Sequence, residues 1–209
     1  MTEMLDVFDA NRRLIGVADR NVVHTLGLWH KTVHCWLVWN GRLLFQRRSR
    51  KLDNNPGKLY TTASGHVSAG EETAGAFRRE IEQEIGIRTD NPKLGEPRHL
   101  YQLVWIGDFV KTDGKLFQDR VFADVYFAPY GGELSDFVFS DGEVDGIVAI
   151  GLDEFIAFAK DPRGKISALE FDGRETREVS VAKEDFTLVG DESVYVKFGK
   201  LAEQIRDAK

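Results

Sequence analysis

Residues 65–87 read GHVSAGEETAGAFRREIEQEIGI. Acids crowd this stretch at Glu71, Glu72, Glu80, Glu82 and Glu84, and Gly65 and Gly86 stand near its two ends. Ala74, Phe77, Ile81 and Ile85 recur at intervals of three or four, which predicts an amphipathic helix from Thr73 to Ile85. The acids ahead of Thr73 favour a helix N-terminus, and Gly86 is the expected stop. Glu80 and Glu84 then project from one flank a turn apart, and two such like charges cost about 0.2–0.5 kcal/mol. Arg79 is expected to point elsewhere on the wheel. A divalent cation is the better offset: Mg²⁺ or Mn²⁺ accepts carboxylate oxygens and fills its other positions with water and phosphate oxygens. Taken alone, a Glu-rich helical run is more often a solvated face, so its surroundings must decide.

Upstream, Leu5 to Phe8 and Leu14 to Ala18 are short apolar runs around turn-forming residues and predict a small hairpin. Asn40-Gly41 between two β-rich runs predicts a tight second hairpin. Strand alternation puts Leu44, Gln46 and Arg48 on one face of its second strand and Leu43, Phe45 and Arg47 on the other. A short strand feeds residue 65. Downstream, RHLYQLVWIGDF and KLFQDRVFADVYFAP are strands around a Thr-Asp-Gly turn. YGGELSDFVFSDGE is a loop or hairpin, VDGIVAIG a strand, LDEFIAFAK a helix, and VYVKFGKLAEQIRDA a closing helix. This order predicts an α+β or α/β sandwich with a mixed sheet.

The chain has 209 residues, 42% of them hydrophobic, with a net charge of −6. That supports one ordinary core and gives a poor footprint for non-specific nucleic-acid binding. The single cysteine, Cys35, excludes an internal disulfide and a cysteine zinc site, and its strand position beside tryptophans marks it as a small core residue. No apolar run has membrane-spanning length, and residues 1–13 carry no leader pattern, so a cytoplasmic protein is expected.

Taken whole, residues 65–87 resemble the Nudix box, the loop–helix–loop signature of the Nudix hydrolases. Gly65 opens the pattern, Glu71 is its next fixed acid, Arg79-Glu80-Ile81 fill the Arg-Glu-apolar positions, and Glu84, Gly86 and Ile87 close it. One position departs: Gln83 stands where the family has the first of two adjacent glutamates. A glutamine carbonyl still ligates a metal but lacks charge. Residues 5–49 further resemble the N-terminal half of the isopentenyl-diphosphate-isomerase-like branch, which shares the leading hairpin, the spaced histidines and the QRRS strand end, and the resemblance covers about residues 4–160.

The resemblance implies a Nudix α/β/α sandwich with a mixed sheet, spanning residues 1–160 with its N-terminal hairpin. Residues 161–209 are expected to be a C-terminal extension packed on the same domain. It implies metal-dependent cleavage of a pyrophosphate linkage in a nucleoside-diphosphate-type small molecule, with Mg²⁺ or Mn²⁺, no nucleic-acid or membrane partner, and a homodimer. Glu80 and Glu84 would hold the metal, helped by Glu71, the Gly65 carbonyl and Gln83. Glu143, with Asp145 second, is the candidate general base, because it sits in a Gly-containing loop before a strand. Arg48 is a candidate phosphate clamp and His66 a candidate substrate contact. Arg79 is expected to orient the box by pairing with an internal acid. Trp29, Trp36, Trp39, Tyr60 and Trp105 are mostly core, with a stacking role open for one of them.

Two alternatives stand. A metal site weakened at Gln83 would leave a domain that binds a nucleotide-like ligand without turnover. An isomerase is disfavoured, because Ser64 stands where the isomerases carry a catalytic cysteine. Gln118 and Arg120 stand where those enzymes carry two metal-binding glutamates, leaving His30 and His66 without carboxylate partners.

Overall fold

A computed structural model describes residues 2–53, 55–110, 114–140, 142–187 and 193–207. The N-terminal hairpin pairs β1 (Met4–Phe8) with β2 (Leu14–Asp19) and runs into α1 (Arg20–Leu26). Asp19 caps α1 by accepting from Asn21 N, and left-handed Gly27 ends it. The second hairpin is β3 (Trp29–Trp39) with β4 (Arg42–Arg48), in register Val38 to Leu43. Asn40 and Gly41 both take positive φ, 47° and 75°, which matches a two-residue turn to the strand twist.

β5 (Leu59–Tyr60) pairs with β4, and β6 (Ala63–His66) pairs with β3. The acidic helix, α2, runs Thr73–Ile85 as the periodicity predicts, and left-handed Gly86 stops it. The apolar stripe is shifted in phase, however. Ala76, Phe77, Ile81 and Ile85 are buried, while Ala74 is exposed. The correction matters because the shifted stripe carries Glu80 and Glu84 into the buried face.

β7 (Arg98–Val110) and β8 (Leu116–Pro129) form a long antiparallel pair. Of the Thr-Asp-Gly turn expected between them, Thr112 and Asp113 lie outside the described residues. β8 pairs parallel with β3, from Trp29–Arg120 to Val38–Pro129, so the sheet is mixed. β9 (Val144–Gly151) pairs with β4 on its other edge and leads into α3 (Leu152–Lys160). The described residues of 130–143 form a loop with a 3-10 turn, Leu134–Asp136, rather than a hairpin.

The tail holds an element that the sequence reading missed. β10 (Lys165–Phe171) and β11 (Thr176–Ala182) form a hairpin whose first strand extends the sheet beside β9. Its signal was present: alternating Ile166, Ala168 and Glu170 lead to Asp172-Gly173, and Gly173 takes φ +89°. α4 (Ser193–Asp207) packs along α3.

Strand alternation sorts two cores. Val33, Cys35, Leu37, Leu44, Ile147 and Ala149 meet Phe77, Ile81 and Ile85 of α2 on one face. Trp36, Leu43, Phe45, Val148 and Ile150 meet Phe155, Phe158, Leu201 and Ile205 of α3 and α4 on the other. The fold is the expected α/β/α sandwich. The two arginines of the QRRS end part company across the sheet. Arg47 pairs with buried Glu170 of β10, while Arg48 lies on the α2 side.

Candidate functional site

The site forms where α2 crosses β6. Glu80 and Glu84 lie on its buried flank, at 7% and 6% exposure. Burial holds the Glu80 carboxyl above its ordinary pKa, opposed by the charge of Arg79. Two carboxylates held out of water form a site that gains by taking up a cation, because the cation offsets the desolvation cost of their charge.

Gly65 supplies the space. A Cβ there would lie 2.1 Å from Glu80 Oε1 and 2.5 Å from Oε2, so the carboxylate occupies the volume that any other residue would fill. Glu84 is fixed from two sides. Gln46 Nε2 of β4 donates to its Oε2 at 2.9 Å, and the Ser64 N–H reaches both of its oxygens at 3.4 Å. These donors hold the carboxylate as an acceptor facing the sheet.

Arg79 organises the remainder, and its direction needs correcting. It does not point away from the acids. Its Nη1 donates to Glu80 Oε1 at 2.5 Å and to Gln83 Oε1 at 3.1 Å. Its Nε and Nη2 grip Glu71 at 3.0 and 2.9 Å, and Nη2 also reaches the His66 carbonyl at 2.7 Å. Burial disfavours the charge on Glu71, but hydrogen bonds from Arg79 and the Ser68 N–H outweigh it and hold the carboxyl below its ordinary value. The expected role of Arg79, orienting the box through an internal acid, matches this geometry. Glu71 is committed to Arg79 and the loop. Gln83 is exposed, with its carbonyl oxygen turned to Arg79.

The other candidates are spread along β4 and β9. Arg48 lies opposite Val144, on the same strand face as Gln46. Glu143 is exposed at the start of β9, and its carbonyl accepts from Ser49 N at 2.7 Å. Asp145 accepts from Arg50 N at 2.9 Å. Among the aromatics, Trp36 is core, Trp29 stacks on Phe122, and Trp39 donates to the Gly132 carbonyl. Tyr60 is hydrogen-bonded to His34 at 3.3 Å, and burial pushes its hydroxyl up to about 12. Cys35 is buried, with its thiol pushed up by burial.

The structure also assembles a cluster that sequence reasoning did not find whole. Ring nitrogens of His24, His30 and His66 all lie within 4.8 Å of one another, and His24 Nε2 sits 3.0 Å from His66 Nε2. Asp119 joins them, its Oδ1 at 3.6 Å from both His24 Nδ1 and His30 Nε2. Thus the carboxylate beside the histidines is Asp119, between Gln118 and Arg120. Burial raises its carboxyl to about 6 and lowers the imidazoles of His30 and His66. His30 Nε2 and Asp119 Oδ1 are buried without a hydrogen-bond partner. Neutral imidazoles facing an orphaned carboxylate oxygen make a donor set suited to a transition ion. Its members come from α1, β3, β6 and β8, so no sequence spacing announces the cluster.

Comparison with known proteins bears on the family and the fold. The sequence profile of the NUDIX domain matches residues 28–170. The chain is 32% identical over 160 residues to an uncharacterized Nudix hydrolase of Clostridium acetobutylicum, covering 75% of this chain and 73% of that protein. It is 29% identical to Nudix hydrolase 3 of Arabidopsis thaliana, covering 75% of this chain but 20% of that longer protein. An isopentenyl-diphosphate Delta-isomerase of Serratia proteamaculans is 30% identical over 114 residues, covering 54% and 63% of the two chains. A crystal structure from Deinococcus radiodurans shares the fold with a TM-score of 0.55 at 21% identity, covering 74% of this chain and 87% of that one. Among the described residues, no helix is long and apolar enough to cross a membrane.

Proposed function

The chain belongs to the NUDIX domain family, a pyrophosphate-cleaving hydrolase family, and we propose that it acts on a small nucleoside-diphosphate-type compound with Mg²⁺ or Mn²⁺ held by Glu80 and Glu84. The observation that carries this reading is the seating of Glu80 in the space left open by Gly65. Buried acids kept in place by Arg79, Gln46 and the Ser64 N–H fit a hard cation. When bound, such an ion supplies charge that polarises phosphoryl oxygens and activates water.

The chain's own groups do the remaining work. Arg79 fixes Glu80 and Glu71 at once, so the loop and helix halves of the box cannot drift apart. Arg48 offers a guanidinium to the phosphate next along β4. Glu143, in the adjoining loop, accepts a proton from the attacking water. The Gly65 carbonyl would help to hold the cation, while the His66 ring turns to His24, its Nε2 3.0 Å from His24 Nε2, and belongs to the histidine cluster beside the box. Gln83 would have to release Arg79 to ligate the cation. A homodimer remains part of this reading.

The test is turnover of a diphosphate panel by the full chain: nucleotide sugars, dinucleotide polyphosphates, nucleoside triphosphates and isopentenyl diphosphate, with each metal and with excess chelator. Release of nucleotide or phosphate that stops with chelator is expected. Metal-dependent conversion of isopentenyl diphosphate into its isomer would replace this reading with the isomerase. A tenfold or greater gain in Gln83→Glu would support the weakened-domain alternative.

A second metal centre is favoured by the orphaned atoms of His30 and Asp119. His24, His30, His66 and Asp119 would hold a transition ion beside the box. Co²⁺ added to the metal-free chain should give visible absorption bands that Glu84→Gln preserves and His24→Ala removes. Bands indifferent to His24→Ala would sink the second centre.

A further inference from the structure

A groove of about 470 Å³ opens beyond the C-terminal end of α2, within the ~300–1,000 Å³ of small-molecule sites. Val138 and Phe139 form one wall, Phe171 the floor, and Gly173 and Arg174 the far rim, with Asp145 on the near side. The wall is anchored to α2. Val138 N donates to the Ile85 carbonyl at 3.1 Å, and a Cβ on Gly86 would sit 2.8 Å from Val138 Cβ. Val138 is 57% exposed and so offers its side chain to the groove. Phe139 leans on Phe171 with ring centroids 6.1 Å apart, and it lies so close to Gly173 that a Cβ there would meet the ring at 3.4 Å. Arg174 is exposed at the hairpin tip and makes no ion pair among the described residues.

Position gives the groove its meaning. Gln46, which holds Glu84, lies opposite Ile147, and Arg48 lies opposite Val144. Val144 also lines the groove. Gln46 to Arg48 is two residues along β4, roughly 7 Å at ~3.3 Å per residue, and the register shift that skips Asp145 keeps both Ile147 and Val144 on the sheet face that α2 covers. The buried acids, Arg48 and the groove thus follow one line. The loop that supplies Val138 and Phe139 also leads to Glu143.

We propose that this groove, built by Val138, Phe139, Phe171 and Arg174, is a specificity-determining subsite that takes a planar aromatic group carried by the diphosphate compound cleaved at the box. The inference rests on the proposed hydrolysis for the placement of the diphosphate. Phenylalanine and valine surfaces accept a flat ring, and a guanidinium at the rim stacks on it or donates to its acceptor atoms. The group could belong to a nucleobase or to a plain aryl ester, since both present the same face.

The test measures binding to the metal-free full chain by titration calorimetry, so it does not depend on turnover. The probes are adenosine monophosphate, phenyl phosphate and isopentenyl phosphate. Both aromatic probes should bind more tightly than the aliphatic one. Phe139→Ala should weaken them about tenfold, in line with the contribution of a single aromatic stack. Arg174→Ala, at an exposed tip where folding is not in question, should weaken adenosine monophosphate severalfold. A preference for phenyl phosphate over adenosine monophosphate would assign a plain aryl group and keep the subsite. Equal affinity for all three probes, or aromatic binding indifferent to both groove variants, would overturn it. Aromatic binding without turnover of any diphosphate would overturn the hydrolysis and leave the groove standing as a binding site.

Discussion

Glu84→Gln is expected to lower kcat on a diphosphate substrate by about a thousandfold, equivalent to the several kcal/mol that a catalytic cation contributes to a transition state. The substitution keeps the shape of the side chain and its volume against Gln46 and Ser64. It removes the charge. At 6% exposure, that charge is costly to keep from water unless a cation joins it. Thermal stability of the metal-free variant should therefore equal or exceed that of the wild type, while the rise in melting temperature on adding Mn²⁺ should shrink, because ligand-linked stabilisation follows affinity. Steady-state kinetics together with melting curves, with and without Mn²⁺, check both halves. An active variant with unchanged metal-linked stabilisation would remove Glu84 from the site.

Gly65→Ala should do comparable damage by a different route. The added Cβ would fall 2.1 Å from Glu80 Oε1, an overlap that only movement of the carboxylate can relieve. Because the displaced atoms end a side chain, the fold has a way to yield, and a small loss of stability is expected. Glu80 would be turned out of place by an ångström or more, and misplacement on that scale costs about a hundredfold in rate. Turnover should drop while the circular-dichroism spectrum stays native. Paired variants sharpen the test: Gly65→Ala in a Glu80→Gln background should cost little more than Glu80→Gln alone, since both act on one carboxylate. Additive losses would show that Gly65 matters for some other reason.

Much of this molecule could be read before any coordinates. Asn40-Gly41 declared its hairpin, because only a turn with two positive φ angles joins twisted strands so tightly. The span of α2 followed from its periodicity and from Gly86. The facing of Leu44, Gln46 and Arg48 followed from strand alternation. Where the sequence reading slipped, it slipped at points that neighbours decide. Ala74 and Ala76 are equally good stripe residues on a bare helix, and only the sheet beneath α2 buries one and exposes the other. Arg79 sits beside Glu80 in sequence, yet its long side chain is steered by Glu71 on the preceding loop and by the His66 carbonyl at the end of β6.

The acidic helix, its caps, the strands around it and the family likeness are local properties, set by periods of two and 3.6 residues and by glycine's tolerance of positive φ. The sequence by itself determined these. The tertiary structure decided which charges matter. It lowered Glu80 and Glu84 into the packed face, separated Arg47 from Arg48 across the sheet, and brought His24, His30, His66 and Asp119 together from four elements. Burial and the approach of distant strands set the energy of a charged group, and neither is written in the spacing of residues along one chain segment.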